Sequence, residues 1–186
     1  MSRKKFDLIK PTLVLFLICV FCSLFLAMTN QVTAPVIEEL ARQTENAARQ
    51  EVLPEAQDYE TLQAEVGQTA LKALNASGEV VGYIFVTRGK GYGGDIPVMT
   101  GISTEGKITG IKILELNETA GLGMRAANPE FQAQYKDANA PVTVVKSTPK
   151  ENEIQALTGA TITSNGVSSA VNQAFALYDA LKGVQK

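Results

Sequence analysis

The sequence contains no histidine, which removes the commonest general base and the commonest transition-metal ligand from the chemistry open to it. Its only two cysteines, Cys19 and Cys22, lie inside an apolar run, so the rest of the chain is free of thiols, as suits an oxidising compartment. Sharing one helix face, they read as small apolar residues; ligation of a cluster with partners from another chain is the alternative. Neither sign of charge is in excess. The 17 Lys and Arg against 19 Asp and Glu leave a net charge of −2, without the basic face that a phosphate backbone demands, so nucleic acid is not an expected partner. With no catalytic residue and no metal site in view, the chemistry is expected to come from a bound cofactor.

What the sequence does have is a long apolar run near its start. From Pro11 to Thr29 no residue is charged, and at the helical rise the segment covers about 28 Å, close to the hydrocarbon thickness of a bilayer. Arg3, Lys4, Lys5 and Lys10 precede the run, while Glu38 and Glu39 follow it. The positive-inside bias then places the N-terminus in the cytoplasm and the remainder outside. A cleaved signal peptide would share the charged start. Its exit is poor, because Val32-Thr33-Ala34 runs straight into Pro35, and bulky Val20 and Phe21 precede Cys22 where lipoprotein processing needs small residues.

The 186 residues leave room for one membrane segment and one globular domain. The expected division is a cytoplasmic start over 1–10, a transmembrane anchor over 11–30, a membrane-proximal helix and linker over 31–58, and a folded domain over 59–186. Pro35 is placed at the start of the membrane-proximal helix, which ends near Leu53. In the domain, Leu74 to Val86 (LNASGEVVGYIFV) echoes Ile102 to Leu114 (ISTEGKITGIKIL), with Gly78 over Gly106 and Gly82 over Gly110 at an offset of 28. Each copy reads as a β-hairpin turning at Ser77-Gly78 or Glu105-Gly106, and the two hairpins pair into one antiparallel sheet. Gly89 to Pro97 and Asn117 to Asn128 read as loops. A short helix capped by Asn128 with Pro129 at its first position follows, then a strand over Pro141 to Lys146. The last helix is expected over Ser164 to Lys182 and stopped by Gly183; its Val167, Ala170, Val171, Ala174, Leu177, Tyr178 and Leu181 fall on one face. The fold class is α+β: an anchor helix, then antiparallel hairpins with packing helices.

The segment Leu157 to Val167, LTGATITSNGV, is unusual in its density of hydroxyls, from Thr158, Thr161, Thr163 and Ser164. Gly159 and Ala160 permit close approach to the backbone. The unpaired amides that open the following helix favour an anion such as a phosphate. On the residues alone a plain capped turn, with Ser164 as N-cap, is the simpler explanation.

TGAT followed by ITSNGV resembles the flavin-attachment signature of FMN-carrying subunits in two related bacterial complexes. These are the G subunit of the Rnf-type ferredoxin:NAD oxidoreductase and the C subunit of the sodium-pumping NADH:quinone oxidoreductase. Gly89-Lys90-Gly91-Tyr92-Gly93-Gly94 with Ile96 resembles that family's glycine-rich segment, and Glu118-Thr119-Ala120-Gly121-Leu122-Gly123 its ETPGLG segment. Ala120 stands where proline is usual in the family, and Leu116 where many members have histidine. The shorter chain favours the Rnf-type subunit.

The resemblance implies an electron-transfer subunit that carries one FMN, moved from FAD by a dedicated flavin transferase onto Thr161 as a phosphoester. Thr158, Gly159 and Ala160 would shape the phosphate end, with Thr163 in a supporting or capping role. Glu118, Thr119, Gly121, Leu122 and Gly123 would lie by the flavin, with Lys146 a further candidate for polar contact, although Leu122 on its own reads as buried core. The implied partners are the other membrane subunits of the complex and the transferase. The alternatives are the C subunit of the sodium-pumping enzyme, a stand-alone exported flavoprotein reductase, and a ligand-binding or structural protein in which LTGATITSNG is only a turn.

Overall fold

The computed structural model describes residues 3–62, 69–139 and 141–184. Of the expected segments, residues 1–2, 63–68, 140 and 185–186 lie outside the described residues, as do the side chains of Arg3, Lys4 and Lys5. Contacts group the chain into two units, Met1–Thr44 and Glu45–Lys186.

The first unit is helical, and belongs to a helix α1 that runs over Arg3–Val52. Pro35 therefore lies inside a helix instead of opening one. Proline forfeits one ladder bond there, and nearby hydroxyls bond back to the backbone, Thr29 Oγ1 to Phe25 O at 2.9 Å and Thr33 Oγ1 to Thr29 O at 3.0 Å. From Ile9 onward α1 is long and apolar enough to cross a membrane. Phe16, Phe21, Phe25 and Leu26 stand exposed all round it, the signature of a helix whose surroundings are themselves apolar.

The second unit is built on a five-stranded antiparallel meander in the order β1 (Asp58–Leu62), β2 (Thr69–Leu74), β3 (Val80–Lys90), β4 (Asp95–Ser103) and β5 (Ile108–Ile113). Each echoing segment supplies the turn and most of the second strand of a hairpin, β3 after β2 and β5 after β4, while the first strands lie mostly upstream of the copies; the echo in the turns is physical. In each hairpin the first turn residue, Asn75 or Ser103, donates its N–H to Glu79 O or Lys107 O and accepts from the N–H of Gly78 or Gly106. Both glycines have positive φ, 78° and 90°, which other residues adopt only with strain. A register shift falls at Ala73/Leu74 in one copy and at Gly101/Ile102 in the other.

Alternation along the strands sends side chains to two faces. Phe85, Val98 and Ile102 join one core with Val167, Ala170, Val171 and Ala174 of helix α3 (Thr161–Val184). Ile84 and Met99 face the other way, against Ala48, Val52 and Leu53 at the end of α1. That close landing needs glycine beneath it: a Cβ on Gly101 would lie 2.7 Å from Val52 O. Thr109 Oγ1 donates to the same Val52 carbonyl at 2.5 Å, and Lys112 Nζ meets Glu51 Oε2 at 2.7 Å.

Several local expectations need correction. Gly89 to Pro97 is not one loop, because β3 and β4 stay paired to Lys90↔Asp95 and only Gly91–Gly94 turns. Gly89 keeps its place in a strand because a side chain there would collide with Gly166 O of α3. Asn128 precedes the short helix α2 (Pro129–Ala133) without a side-chain capping bond; its carbonyl accepts from Phe131 and Gln132 instead. The Pro141–Lys146 strand shortens to β6 (Thr143–Val145), which pairs in parallel with β7 (Glu153–Gln155). Helix α3 runs from Thr161 through Gly183 to Val184, three residues earlier than expected at its start.

Candidate functional site

The earlier start of α3 changes what the TGAT segment is. Ser164 N–H donates to Ala160 O at 3.0 Å as the first ladder bond, so the amides of Thr161, Ile162 and Thr163 are the orphan donors of the first turn. Ser164 is not the N-cap. Its buried hydroxyl donates back to Ala160 O at 3.0 Å and accepts from Leu157 N–H, also at 3.0 Å, which draws the preceding loop against the helix. Gly159 has φ 78° in that loop, and a Cβ there would touch Leu122 Cδ2 at 3.0 Å.

Two further segments meet this helix start through one carboxylate. Glu118 Oε1 accepts from Tyr92 N–H at 2.8 Å and Gly93 N–H at 3.2 Å, and Glu118 Oε2 accepts from Thr163 Oγ1 at 3.0 Å. Gly91, Gly93 and Gly123 leave the space this needs: a Cβ on Gly123 would lie 2.5 Å from Glu118 Oε2 and 2.7 Å from Thr163 Oγ1. The three segments singled out in the sequence are thereby fastened together. The Glu118 segment is itself compact, with the N–H groups of Leu122 and Met124 both donating to Thr119 O and Gly121 at φ 76°.

Between them opens a cleft of ≈ 520 Å³. The hairpin turn contributes Tyr92; the middle segment contributes Glu118, Thr119, Leu122 and Gly123; the helix start contributes Gly159, Ala160, Thr161, Ile162 and Thr163. Outside α1, the exposed large hydrophobic side chains among the described residues are Tyr92, Leu122, Met124 and Ile162, and three of these four line the cleft. Such a concentration of solvent-facing apolar surface in one concavity marks a ligand site. The residues fit a flavin phosphate: apolar side chains suited to a flat ring system, and half-buried Thr161 at the start of α3, where first-turn amides favour an anion.

Of the site residues expected from sequence, Gly121 and Thr158 do not line this cleft. Thr158 borders a neighbouring concavity of ≈ 390 Å³ with Lys146, Gly159 and Thr161, so Thr161 lies on the lip between the two. Leu122 is not buried core; it is 43% exposed because the turn through Gly121 presents it to the cleft. Glu118 spends its carboxylate on protein donors, so it is a fastening as well as a wall. Sequence reasoning missed Tyr92 and Ile162 as wall residues. The available signal was a large side chain placed among glycines and hydroxyls with no periodic partner.

Residues 91–176 match the FMN-binding domain family, and residues 1–52 match the RnfG N-terminal region. The chain is 45% identical over 192 residues to the G subunit of the Na(+)-translocating ferredoxin:NAD(+) oxidoreductase complex of Acetobacterium woodii, covering 92% of each chain. It is 31% identical over 191 residues to the G subunit of the ion-translocating oxidoreductase complex of Methanosarcina acetivorans, covering 98% of this chain and 100% of that one. The crystal structure of Shewanella oneidensis NqrC shares the fold, with a TM-score of 0.53 and 22% identity over 69% of this chain and 67% of that one. Fold and cleft together define a protein with an apolar N-terminal helix and an FMN-binding domain. The chain belongs to the family of G subunits of Rnf-type ion-translocating ferredoxin:NAD oxidoreductase complexes.

Proposed function

We propose that this chain is the electron-carrying G subunit of an Rnf-type complex, with one FMN held by a phosphoester on Thr161. The observation that carries the reading is the unequal state of two neighbouring hydroxyls. Both line the cleft, but Thr163 is 1% exposed with its hydroxyl committed to Glu118, whereas Thr161 is half-buried and is the first residue of α3. The greater exposure of Thr161 and the commitment of the Thr163 hydroxyl favour Thr161 as the residue a transferase would modify.

In the attachment step Thr161 Oγ bonds to the FMN-side phosphorus of FAD, the pyrophosphate link breaks, AMP leaves and the hydroxyl proton is released. The new diester keeps one negative charge, which the N-terminal end of α3 stabilises. Ala160 and Gly159 leave room for the phosphate end, Thr158 borders it from the neighbouring concavity, and Leu122 and Gly123 with Thr119 border the ring. Bound FMN supplies one- and two-electron redox chemistry. The protein's part is to hold it against loss and exclude water with the apolar walls.

The positive charges ahead of the apolar run favour an N-terminus in the cytoplasm and the flavin domain on the opposite face of the membrane. The segments 1–10, 11–30, 31–58 and 59–186 are the proposed cytoplasmic start, anchor, connecting stalk and flavin domain. Electrons would pass to and from redox centres of neighbouring membrane subunits. The uncharged span offers no ion path within this chain. Expression with a flavin transferase, followed by acid precipitation, tests the attachment: yellow colour stays with the pellet if the reading holds and leaves with the supernatant if it fails. Purification in mild detergent from the native membrane tests the assembly, with multi-span subunits expected to accompany the chain.

A further inference from the structure

We propose that Tyr92 is the aromatic wall of the cleft, a positioning residue whose ring contacts the isoalloxazine of the flavin. The inference rests on the reading that FMN is attached at Thr161. Tyr92 is 73% exposed, more than Leu122, Met124 or Ile162, the other exposed large hydrophobics among the described residues of its unit. An aromatic so exposed on a loose loop would mean little.

This one stands on a fixed base. Its own N–H and that of Gly93 both donate to Glu118 Oε1, Gly91 N–H donates to Gly94 O, and a side chain on Gly93 would collide with Asn117 O. The turn is pinned at every residue around Tyr92, while the ring itself has little protein to pack on. Pre-ordering a large flat side chain in this way lowers the entropic cost of stacking a flat ligand against it. Tyr92 is also the only aromatic among the described residues that line the cleft, and it shares that cleft with Thr161. Leu122 and Ile162 supply further apolar walls. A tricyclic conjugated ring is the part of FMN that matches such walls; the phosphate end matches the amides of α3.

A phenol touching a flavin has an optical consequence. On excitation the phenol passes an electron to the flavin and the electron returns at once, so light emission is lost with no net chemistry. A phenyl ring is too hard to oxidise to do this. The test uses the full chain expressed with its transferase and purified in detergent, with intact mass giving the flavin loading. Native fluorescence of wild type at a given loading should be several-fold below that of Tyr92→Phe and Tyr92→Leu, and unfolding in urea should bring all three to the same level. The visible circular dichroism of the flavin should persist in Tyr92→Phe, which keeps a stacking ring, and weaken in Tyr92→Leu. Equal native fluorescence of wild type and Tyr92→Phe at equal loading would overturn the assignment. A wild-type chain without adduct would overturn the attachment reading, and the role of Tyr92 with it.

Discussion

Thr163 Oγ1 donates to Glu118 Oε2 at 3.0 Å across 45 residues of sequence. With Glu118 Oε1 holding the Tyr92 turn, this bond makes one carboxylate the fastening of three segments that meet around Thr161.

Removing that carboxylate should lower the stability of the domain it fastens. Glu118→Ala removes the acceptor of two exposed amides, which water can satisfy, and of the buried Thr163 hydroxyl, a loss of about 1–2 kcal/mol. Glu118→Gln keeps an oxygen for the amides and should lose about 1 kcal/mol. Urea unfolding of the full chain in detergent checks the order, wild type above Gln above Ala; equal midpoints would contradict it.

The crossing of β3 and α3 depends on two backbones touching. A Cβ on Gly166 would lie 2.7 Å from Lys90 O, so Gly166→Ala should destabilise by about 1–3 kcal/mol despite alanine's helix propensity. Gly183 has open space around it in the same helix. There the same substitution should be neutral or stabilising by up to about 1 kcal/mol. Thermal unfolding of the two variants side by side separates packing from propensity.

Ala120 occupies the second position of a turn closed by Leu122 N–H to Thr119 O, with Gly121 at φ 76° in the third. Proline suits that position by restricting the unfolded chain. Ala120→Pro should stabilise by about 0.4–1 kcal/mol, read as a higher urea midpoint; a lower one would show that the turn needs another backbone angle.

Tyr135 is fully buried and bonds Ser168 Oγ at 2.9 Å. Burial holds its phenol well above the ordinary range, with the Ser168 bond opposing that shift. Burial also raises Tyr59, against the pull of Arg49. The folded state therefore keeps a proton that the unfolded state releases above about pH 10. Stability should be unaffected by this group below that pH and fall above it by about 1.4 kcal/mol per pH unit. Tyr135→Phe should reduce the alkaline slope, leaving the part due to Tyr59, while costing about 1 kcal/mol at neutral pH from the unpaired Ser168.

Much of this architecture could be read from local chemistry. The hairpins announced themselves through Ser77-Gly78 and Glu105-Gly106, and the apolar face of α3 through Val167, Val171 and Ala174, because turn and helix periodicity are short-range properties. The strands Asp58–Leu62 and Glu153–Gln155 were not legible, since each is short and is specified by its partner. The start of α3 was displaced because Ser164 looks like a cap until its hydroxyl is seen to turn back to Ala160. Glu118 could be suspected from its motif but not understood, because its function lies in contacts 25, 26 and 45 residues away. The exposure of Leu122 was hidden for the same reason: a leucine is core by default until the turn that presents it is known.

Intact-mass measurement of the full chain, made with an active flavin transferase, tests the central claim most directly. Attachment at Thr161 gives a gain of about 438 Da, the mass of FMN less one water, in the wild type and in Thr163→Ala, and none in Thr161→Ala. A wild-type chain at its unmodified mass, or an adduct that survives in Thr161→Ala, would contradict it.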